Sequence, residues 1–208
     1  MAIVPIETLL AFALTCLVIE LTPGPNMAYL AVLSASKGRR AGTAATLGAG
    51  LGLLSVGIAA ALGLTAVIAG SRILYEILRW AGVAYMLWLA WEGWRGGSDT
   101  SPEATVEDAD AKFFTRGLIT NLLNPKAGVF YVAVLPTFVD PARALAVQTV
   151  TLSIVYVVVA TLIHGTIVLL ADAARPWLED EQRITLVRRI LSVLLACIAV
   201  WLLATTRR

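Results

Sequence analysis

The sequence predicts an all-α, polytopic membrane protein with six transmembrane helices, arranged as an inverted three-plus-three repeat whose first and fourth helices are broken. Three observations support this fold class. Of the 208 residues, 59% are hydrophobic and 14% are charged, whereas a soluble domain carries roughly a quarter charged residues. Proline interrupts two of the long apolar segments. The two halves of the chain also share a short sequence pattern that includes these interruptions.

The first apolar segment, about residues 4–36, is longer than the roughly 20 residues that cross a bilayer. It is interrupted by Thr22-Pro23-Gly24-Pro25-Asn26. Proline lacks a backbone N–H and clashes with the preceding helical turn, so the helix cannot continue there. In hydrocarbon a broken helix is tolerated only where it is buried in protein or lines a polar cavity. The break is therefore a candidate binding site.

The second and third apolar segments, about residues 44–70 and 73–91, complete the predicted first repeat, residues 1–94. Gly48 and Gly52 form a small-xxx-small pair, which lets two helix backbones approach closely in lipid. We favour a helix–helix contact at this pair. The alternative is that the missing side chains leave room for a ligand beside the break.

The only long polar stretch, residues 95–112, carries five acidic residues together with Ser, Thr and Gly. We interpret it as a flexible, solvated linker between the two repeats. The predicted second repeat, residues 113–208, contains apolar segments at about 113–139, 145–171 and 190–204. The last of these is the shortest and the weakest span.

The second break, Asn124-Pro125-Lys126, lies inside the fourth apolar segment. When residues 22–33 are shifted by 102 positions onto residues 124–135, five of the twelve pairs are identical. Because each half holds three spans, the second half must enter the membrane upside down, which makes the repeat inverted. Paired interruptions in two such halves point to the substrate site of a transporter.

The distribution of basic residues predicts the orientation. Ten of the 16 Lys and Arg lie in the first, third and fifth loops, and five lie at the termini and in the other two loops. The positive-inside rule then places loop 37–42 and linker 95–112 in the cytoplasm.

If the two breaks meet in the membrane, they bring together one carboxylate, Glu20, and one ammonium, Lys126. Charged groups are costly there and need a partner or a function. Lys126 and a helix N-terminus could bind a carboxylate, while Glu20 or free carbonyls could bind an ammonium, which suits a zwitterion such as an amino acid. The candidate substrate-binding residues are Pro23, Gly24, Pro25, Asn26, Asn121, Asn124, Pro125 and Lys126.

Each of these residues also has a structural interpretation. Glu20 and Lys126 could simply pair and hold the halves together, and Asn26 and Asn124 could cap the resumed helices. His164, the sole histidine, lies in the fifth span, where a packed residue is more common than a proton relay. Its imidazole titrates near neutral pH, however, so Glu20 and His164 are the candidates for ion coupling.

Several function classes find no support in the sequence. It contains no catalytic triad pattern, no HExxH, no P-loop and no glycine-rich dinucleotide turn, so we expect neither an enzyme nor a cofactor. Cysteine and histidine spacing predicts no metal site, and a net charge of +2 gives no basis for binding nucleic acid. The remaining alternatives to amino-acid transport are a small-cation exporter and a structural membrane protein.

The two broken-helix motifs also carry a family resemblance. Thr22–Asn26 is followed by Lys37-Gly38-Arg39-Arg40-Ala41-Gly42, and the second half contains Asn121-Leu122-Leu123-Asn124-Pro125-Lys126-Ala127. With these motifs the chain resembles the LysE-type family of bacterial amino-acid exporters, which includes lysine exporters and homoserine/threonine efflux proteins.

The resemblance implies a multi-pass protein of the bacterial inner membrane that exports amino acids or close derivatives. It also implies antiport with H⁺ or Na⁺ and assembly as an oligomer such as a homodimer. It does not fix the substrate, because members with similar motifs export different compounds. Glu20 and the acidic linker are not part of the family pattern, so the coupling role of Glu20 is our own hypothesis.

Overall fold

The computed structural model describes residues 4–21, 24–63, 71–95, 106–174 and 181–205. Thr22 and Pro23 of the first predicted break lie outside the described residues, as do residues 96–105 of the predicted linker. Every regular element within the described ranges is helical.

The helices follow the predicted spans in order. The first half contains α1 (Ile6–Leu21), α2 (Pro25–Lys37), α3 (Arg39–Ala61) and α4 (Arg72–Arg95). The second half contains α5 (Val106–Leu122), α6 (Pro125–Val129), α7 (Leu145–Ala173) and α8 (Glu181–Thr205). After α6 the chain continues as a π-helical turn (Phe130–Val134) and a 3₁₀ turn (Leu135–Phe138). Because α5 begins at Val106, residues 106–112 of the predicted linker are helical.

Both predicted helix breaks are confirmed. The axis bends by 62° between Ile6–Leu21 and Asn26–Lys37, and by 48° between Ala109–Leu122 and Lys126–Phe138. Pro25 and Pro125 are each the first residue of the resumed helix, where the missing N–H costs no intrahelical bond.

Two described helices, α3 and α7, are individually long and apolar enough to cross a membrane. Counting each bent pair as one span raises the number to four. The predicted third and sixth spans are also helical, as α4 and α8, although neither meets the same test of length and composition over its described residues.

Helices α3 and α5 pack backbone against backbone. A Cβ atom added at Gly48 would collide with the carbonyl oxygen of Phe114, and one added at Gly117 would collide with that of Ala45. At Gly52 the added atom would lie 2.9 Å from the Leu118 carbonyl oxygen and 3.1 Å from Asn121 Cβ. The helix–helix interpretation of Gly48 and Gly52 is confirmed, and Gly52 also makes room for Asn121.

Helix α7 contacts α1, α2 and α3, and α4 packs against α8. One apolar core lies where α1, α7 and the turns after α6 meet, and in it the rings of Phe130 and Tyr156 stack at 3.9 Å. A second core, which includes Leu30, Ala45 and Phe113, lies among α2, α3 and α5. The candidate site draws on α1, α6 and α7 from the first core and on α2, α3 and α5 from the second.

Candidate functional site

The two breaks are in direct contact through a pair of buried asparagines. Asn26, in the first turn of α2, donates from Nδ2 to Oδ1 of Asn121, in the last turn of α5, over 2.6 Å. Asn121 in turn donates from Nδ2 to the Ala49 carbonyl oxygen over 2.8 Å. These two bonds tie both breaks to α3, and the structure brings together two residues that the sequence predicted as site members.

A second contact between the breaks joins the buried carboxylate of Glu20 to the partly buried ammonium of Lys126. Glu20 lies in the last turn of α1 and Lys126 in the first turn of α6, and Lys126 Nζ lies 3.7 Å from Glu20 Oε2. The two side chains are 7% and 18% exposed. The two residues therefore pair with each other, and the interpretation that this pair only holds the halves together stays a prediction. At 3.7 Å the contact is an ion pair rather than a short hydrogen bond.

Helix α7 supplies two further neighbours of the Glu20 carboxylate. The Tyr156 hydroxyl donates to Oε1 over 2.7 Å, and His164 Nε2 lies 3.5 Å from Oε2. These α7 residues are eight positions apart, which is about 12 Å along the helix. Both are buried, so the carboxylate lies between two side chains that reach it from different turns of one helix.

Tyr156 is the residue that sequence reasoning missed. Its spacing of eight positions from His164 places both on neighbouring parts of one helical face. A buried tyrosine hydroxyl also needs a hydrogen-bond partner. Both signals were present in the sequence, but neither identified Glu20 as the hydrogen-bond partner of Tyr156.

The remaining predicted site residues shape the breaks. Asn124 is the N-cap of α6, and its Oδ1 accepts the backbone N–H of Lys126 over 3.0 Å. The capping interpretation of Asn124 is therefore confirmed. Gly24 is the N-cap of α2 in an extended conformation and makes no side-chain cap bond. Asn26 is not a cap, because α2 begins one residue before it.

The arrangement offers a carboxylate, an ammonium, a phenol and an imidazole within one buried cluster. Such a set can exchange an internal ion pair for the two charges of a zwitterion, or it can bind and release a proton. Across the part of the chain that the structure describes, no group of three or more His, Cys, Asp or Glu side chains is placed to hold a metal ion.

Comparison with known families decides the class of the protein. The model of the LysE type translocator family matches residues 17–206. The chain belongs to the LysE type translocator family. The resemblance carried by the two motifs is thereby confirmed, and LysE type translocators are transporters rather than enzymes.

Relatives of this LysE type translocator span most of its length. It is 33% identical to an uncharacterized membrane protein of Vibrio cholerae, over 82% of this chain and 84% of the relative. It is 30% identical to a homoserine/homoserine lactone efflux protein of Salmonella typhi, over 83% and 84%. It is 29% identical to a threonine efflux protein of Escherichia coli K12, over 62% and 66%. No solved structure matches the chain significantly.

Proposed function

We propose that this LysE type translocator is a secondary transporter of the bacterial inner membrane that exports amino acids or close derivatives by ion antiport. The substrate is of the homoserine/threonine, lysine or neutral amino-acid type. Membership of the LysE type translocator family and the similarity to homoserine and threonine efflux proteins support this class of cargo.

The observation that carries the proposal is the ion pair between the two helix breaks. A zwitterionic substrate replaces each half of that pair: its carboxylate binds Lys126 and its ammonium binds Glu20. The asparagine pair beside it, Asn26 and Asn121, supplies neutral donors and acceptors. Gly24, Pro25, Asn124 and Pro125 hold the backbone open at the two breaks, and Pro23 belongs to the same motif.

We further propose that the coupling ion is a proton held by Glu20 with the help of His164. Na⁺ is a hard cation that prefers several oxygen ligands. The neighbours of Glu20 within the described ranges are instead a hydroxyl donor, an imidazole and an ammonium. This surrounding favours proton exchange over a sodium site, and it gives no support to a small-cation exporter.

The proposed architecture is the six-span inverted repeat, with loop 37–42 and linker 95–112 in the cytoplasm and a homodimer as the oligomer. Corresponding helices of the two halves pack in pairs, α3 with α7 and α4 with α8. A two-fold axis in the membrane plane would generate such pairs. Rocking of one half against the other would then expose the site to each side in turn.

The test is export from cells that are loaded with dipeptides, from which intracellular peptidases release one amino acid at a time. Cells with the wild-type chain should release homoserine, threonine, lysine or a neutral amino acid faster than cells without it. The gain should disappear in Lys126→Ala and persist in Lys37→Ala, since Lys37 is exposed at the end of α2. Equal release of every amino acid with and without the chain would contradict the proposal.

A further inference from the structure

Buried polar atoms without a hydrogen-bond partner extend from the site along α2, α3 and α7. Within the described residues, these include Asn26 Oδ1, Ser34 Oγ and Thr46 Oγ1. The nearby His164 Nε2 also makes no short hydrogen bond, but it lies 3.5 Å from Glu20 Oε2. Each of the four residues is at most 6% exposed. An unpaired polar group in a membrane interior costs several kcal/mol, so three such atoms leading towards His164 call for a common explanation.

The contacts among α2, α3 and α7 show at which depth along the helices each of these atoms lies. The Arg39 backbone N–H, at the start of α3, donates to Asp172 Oδ1, near the end of α7, over 2.9 Å. One turn deeper, a Cβ added at Gly42 would collide with Ser34 Oγ and lie 2.8 Å from Val168 Cγ1. Ser34 therefore lies one helical turn inside the α2–α3 loop, against both α3 and α7.

Thr46 and His164 occupy the next layer. An added Cβ at Gly50 would lie 3.2 Å from Thr161 Oγ1, so α3 and α7 run antiparallel past each other between Gly42 and Gly50. Thr46 lies four residues from both Gly42 and Gly50 and therefore on the same face of α3. Gly42 and Gly50 lie against Val168 and Thr161 of α7, on either side of His164. Asn26 lies deeper still, two turns from Ser34 along α2, where it meets the second break.

We propose that these four side chains line a water-bearing path along which protons pass between the α2–α3 loop and Glu20. This inference rests on the proposed proton antiport, and it names the route by which protons reach Glu20. Buried waters typically bridge polar groups that lack protein partners. Ser34 and Asn26 are eight residues apart, so the path is about 12 Å long, which about four hydrogen-bonded oxygens can span.

The transfer is balanced at each step. A water that accepts a proton from the loop side releases one on the site side, and the last proton binds the Glu20 carboxylate. The titratable groups around Glu20 are Cys16 one turn earlier on α1, Lys126 from α6, and Tyr156 and His164 from α7. Ser34 packs closely against Gly42 at the end of this route that lies nearest the α2–α3 loop.

The first test measures water in the path without any substrate. In full-length chain carrying Cys16→Ala and Cys197→Ala, Ser34→Cys and Thr46→Cys are exposed to Ag⁺, a small ion that reacts with hydrated thiols. The blocked fraction is read by maleimide labelling after denaturation. Leu162→Cys is the control, because Leu162 is 67% exposed on the lipid side of α7, near the level of His164.

We expect both path thiols to react at least about tenfold faster than the control thiol, since thiolates form in water and not in lipid. Reaction of Ser34→Cys and Thr46→Cys at the control rate would mean a dry interface and would overturn the path. This result does not depend on whether the chain transports amino acids.

The second test measures proton movement in liposomes that contain the purified chain, a pH-sensitive dye and an L-threonine gradient. The Ser34→Ala/Thr46→Val variant should slow threonine-driven proton movement by about tenfold or more. It should leave threonine–threonine exchange at equal pH unchanged. The matched control is Ser36→Ala/Thr43→Val, because Ser36 bonds within its own helix and Thr43 is exposed.

Wild-type proton movement in the Ser34→Ala/Thr46→Val variant would overturn the path even though transport itself is intact. A wild-type chain that moves no threonine would exclude threonine as the cargo, and the liposome test would then be repeated with the amino acid that the dipeptide-loaded cells release. If no amino acid moves, that result counts against the proposed function, and the Ag⁺ reaction decides the path alone.

Discussion

The two helix breaks share proline and a bend but differ in how their polar groups are satisfied. At the second break Asn124 caps the resumed helix with its own side chain. At the first break the N-cap is Gly24, which makes no side-chain cap bond. Its flanking polar residues, Glu20 and Asn26, bond instead to α7 and α5.

The second break also bonds across helices, through Asn121 and Lys126, so the two breaks differ in the local cap alone. A break that caps itself can keep the start of its resumed helix while its neighbours move. Glu20 and Asn26 must exchange their partners whenever the helices move, and a substrate or a proton can take the place of those partners. We infer that the Asn124 cap keeps the start of α6 fixed while the contacts between the two breaks change during transport.

The largest effect on export is expected when Lys126, the partner that the second break contributes to the ion pair with Glu20, is replaced. Lys126→Ala leaves the Glu20 carboxylate buried without its cation, and removal of one partner of a buried ion pair costs about 3–5 kcal/mol. Export should fall by at least about a hundredfold. The measurement is export per molecule of membrane-inserted protein.

A double variant distinguishes a structural pair from a substrate site. Glu20→Gln/Lys126→Met removes both charges, and neutral replacement of a buried pair is often tolerated. It should restore the amount of folded protein but not export. Wild-type export in the double variant would mean that the pair only holds the two halves together.

The next largest effect is expected at Tyr156, the α7 partner of the first break. Tyr156→Phe keeps the stacked ring but removes the hydroxyl that donates to Glu20. A hydrogen bond to a charged group contributes about 1.5–3 kcal/mol, so proton-driven export should fall by roughly tenfold to a hundredfold. Tyr131→Phe is the matched control, because the Tyr131 hydroxyl donates to the Leu53 carbonyl oxygen and not to Glu20.

Unchanged export and unchanged pH dependence in Tyr156→Phe would remove this tyrosine from the mechanism and leave it a packing residue. The same loss in Tyr131→Phe would show that any buried hydroxyl in this core matters equally.

The contrast between these residues also shows what the sequence could predict. The breaks themselves followed from local chemistry, because proline disrupts a helix wherever it lies in the interior. The meeting of Glu20 with Lys126 followed from the hypothesis that the two breaks lie together in the membrane. The bond from Tyr156 to Glu20 joins residues 136 positions apart in the sequence, and only the packing of α7 against α1 determines it.

The linker and the α3–α5 contact also show that the sequence predicts local features but not the partners that packing brings together. Gly48 and Gly52 predicted a close helix contact, but they did not identify α5 as the partner helix. The acidic composition of residues 95–112 indicated a solvated linker, yet α5 begins at Val106. There Asp110 pairs with Arg40 at 2.8 Å, a contact that composition alone does not reveal.

A smaller effect is expected at Asn26, where the asparagine pair joins the breaks. Asn26→Ala leaves Asn121 Oδ1 buried without its donor, at a cost of about 1–3 kcal/mol. Export should fall by roughly tenfold. Asn26→Ser should not rescue it, since the shorter side chain cannot reach Asn121. Full export in Asn26→Ala would show that the two breaks need no direct bond.

The smallest effect is expected for Asn124→Ser, and it tests the comparison most directly. The sequence predicts that Asn124→Ala abolishes export while protein remains in the membrane, whereas loss of the N-cap alone costs only about 0.5–2 kcal/mol. Serine caps helices nearly as well as asparagine, so Asn124→Ser should keep export within about twofold of wild type. If Asn124→Ser fails as completely as Asn124→Ala, the amide itself contacts the substrate, and the second break is a binding element as much as the first.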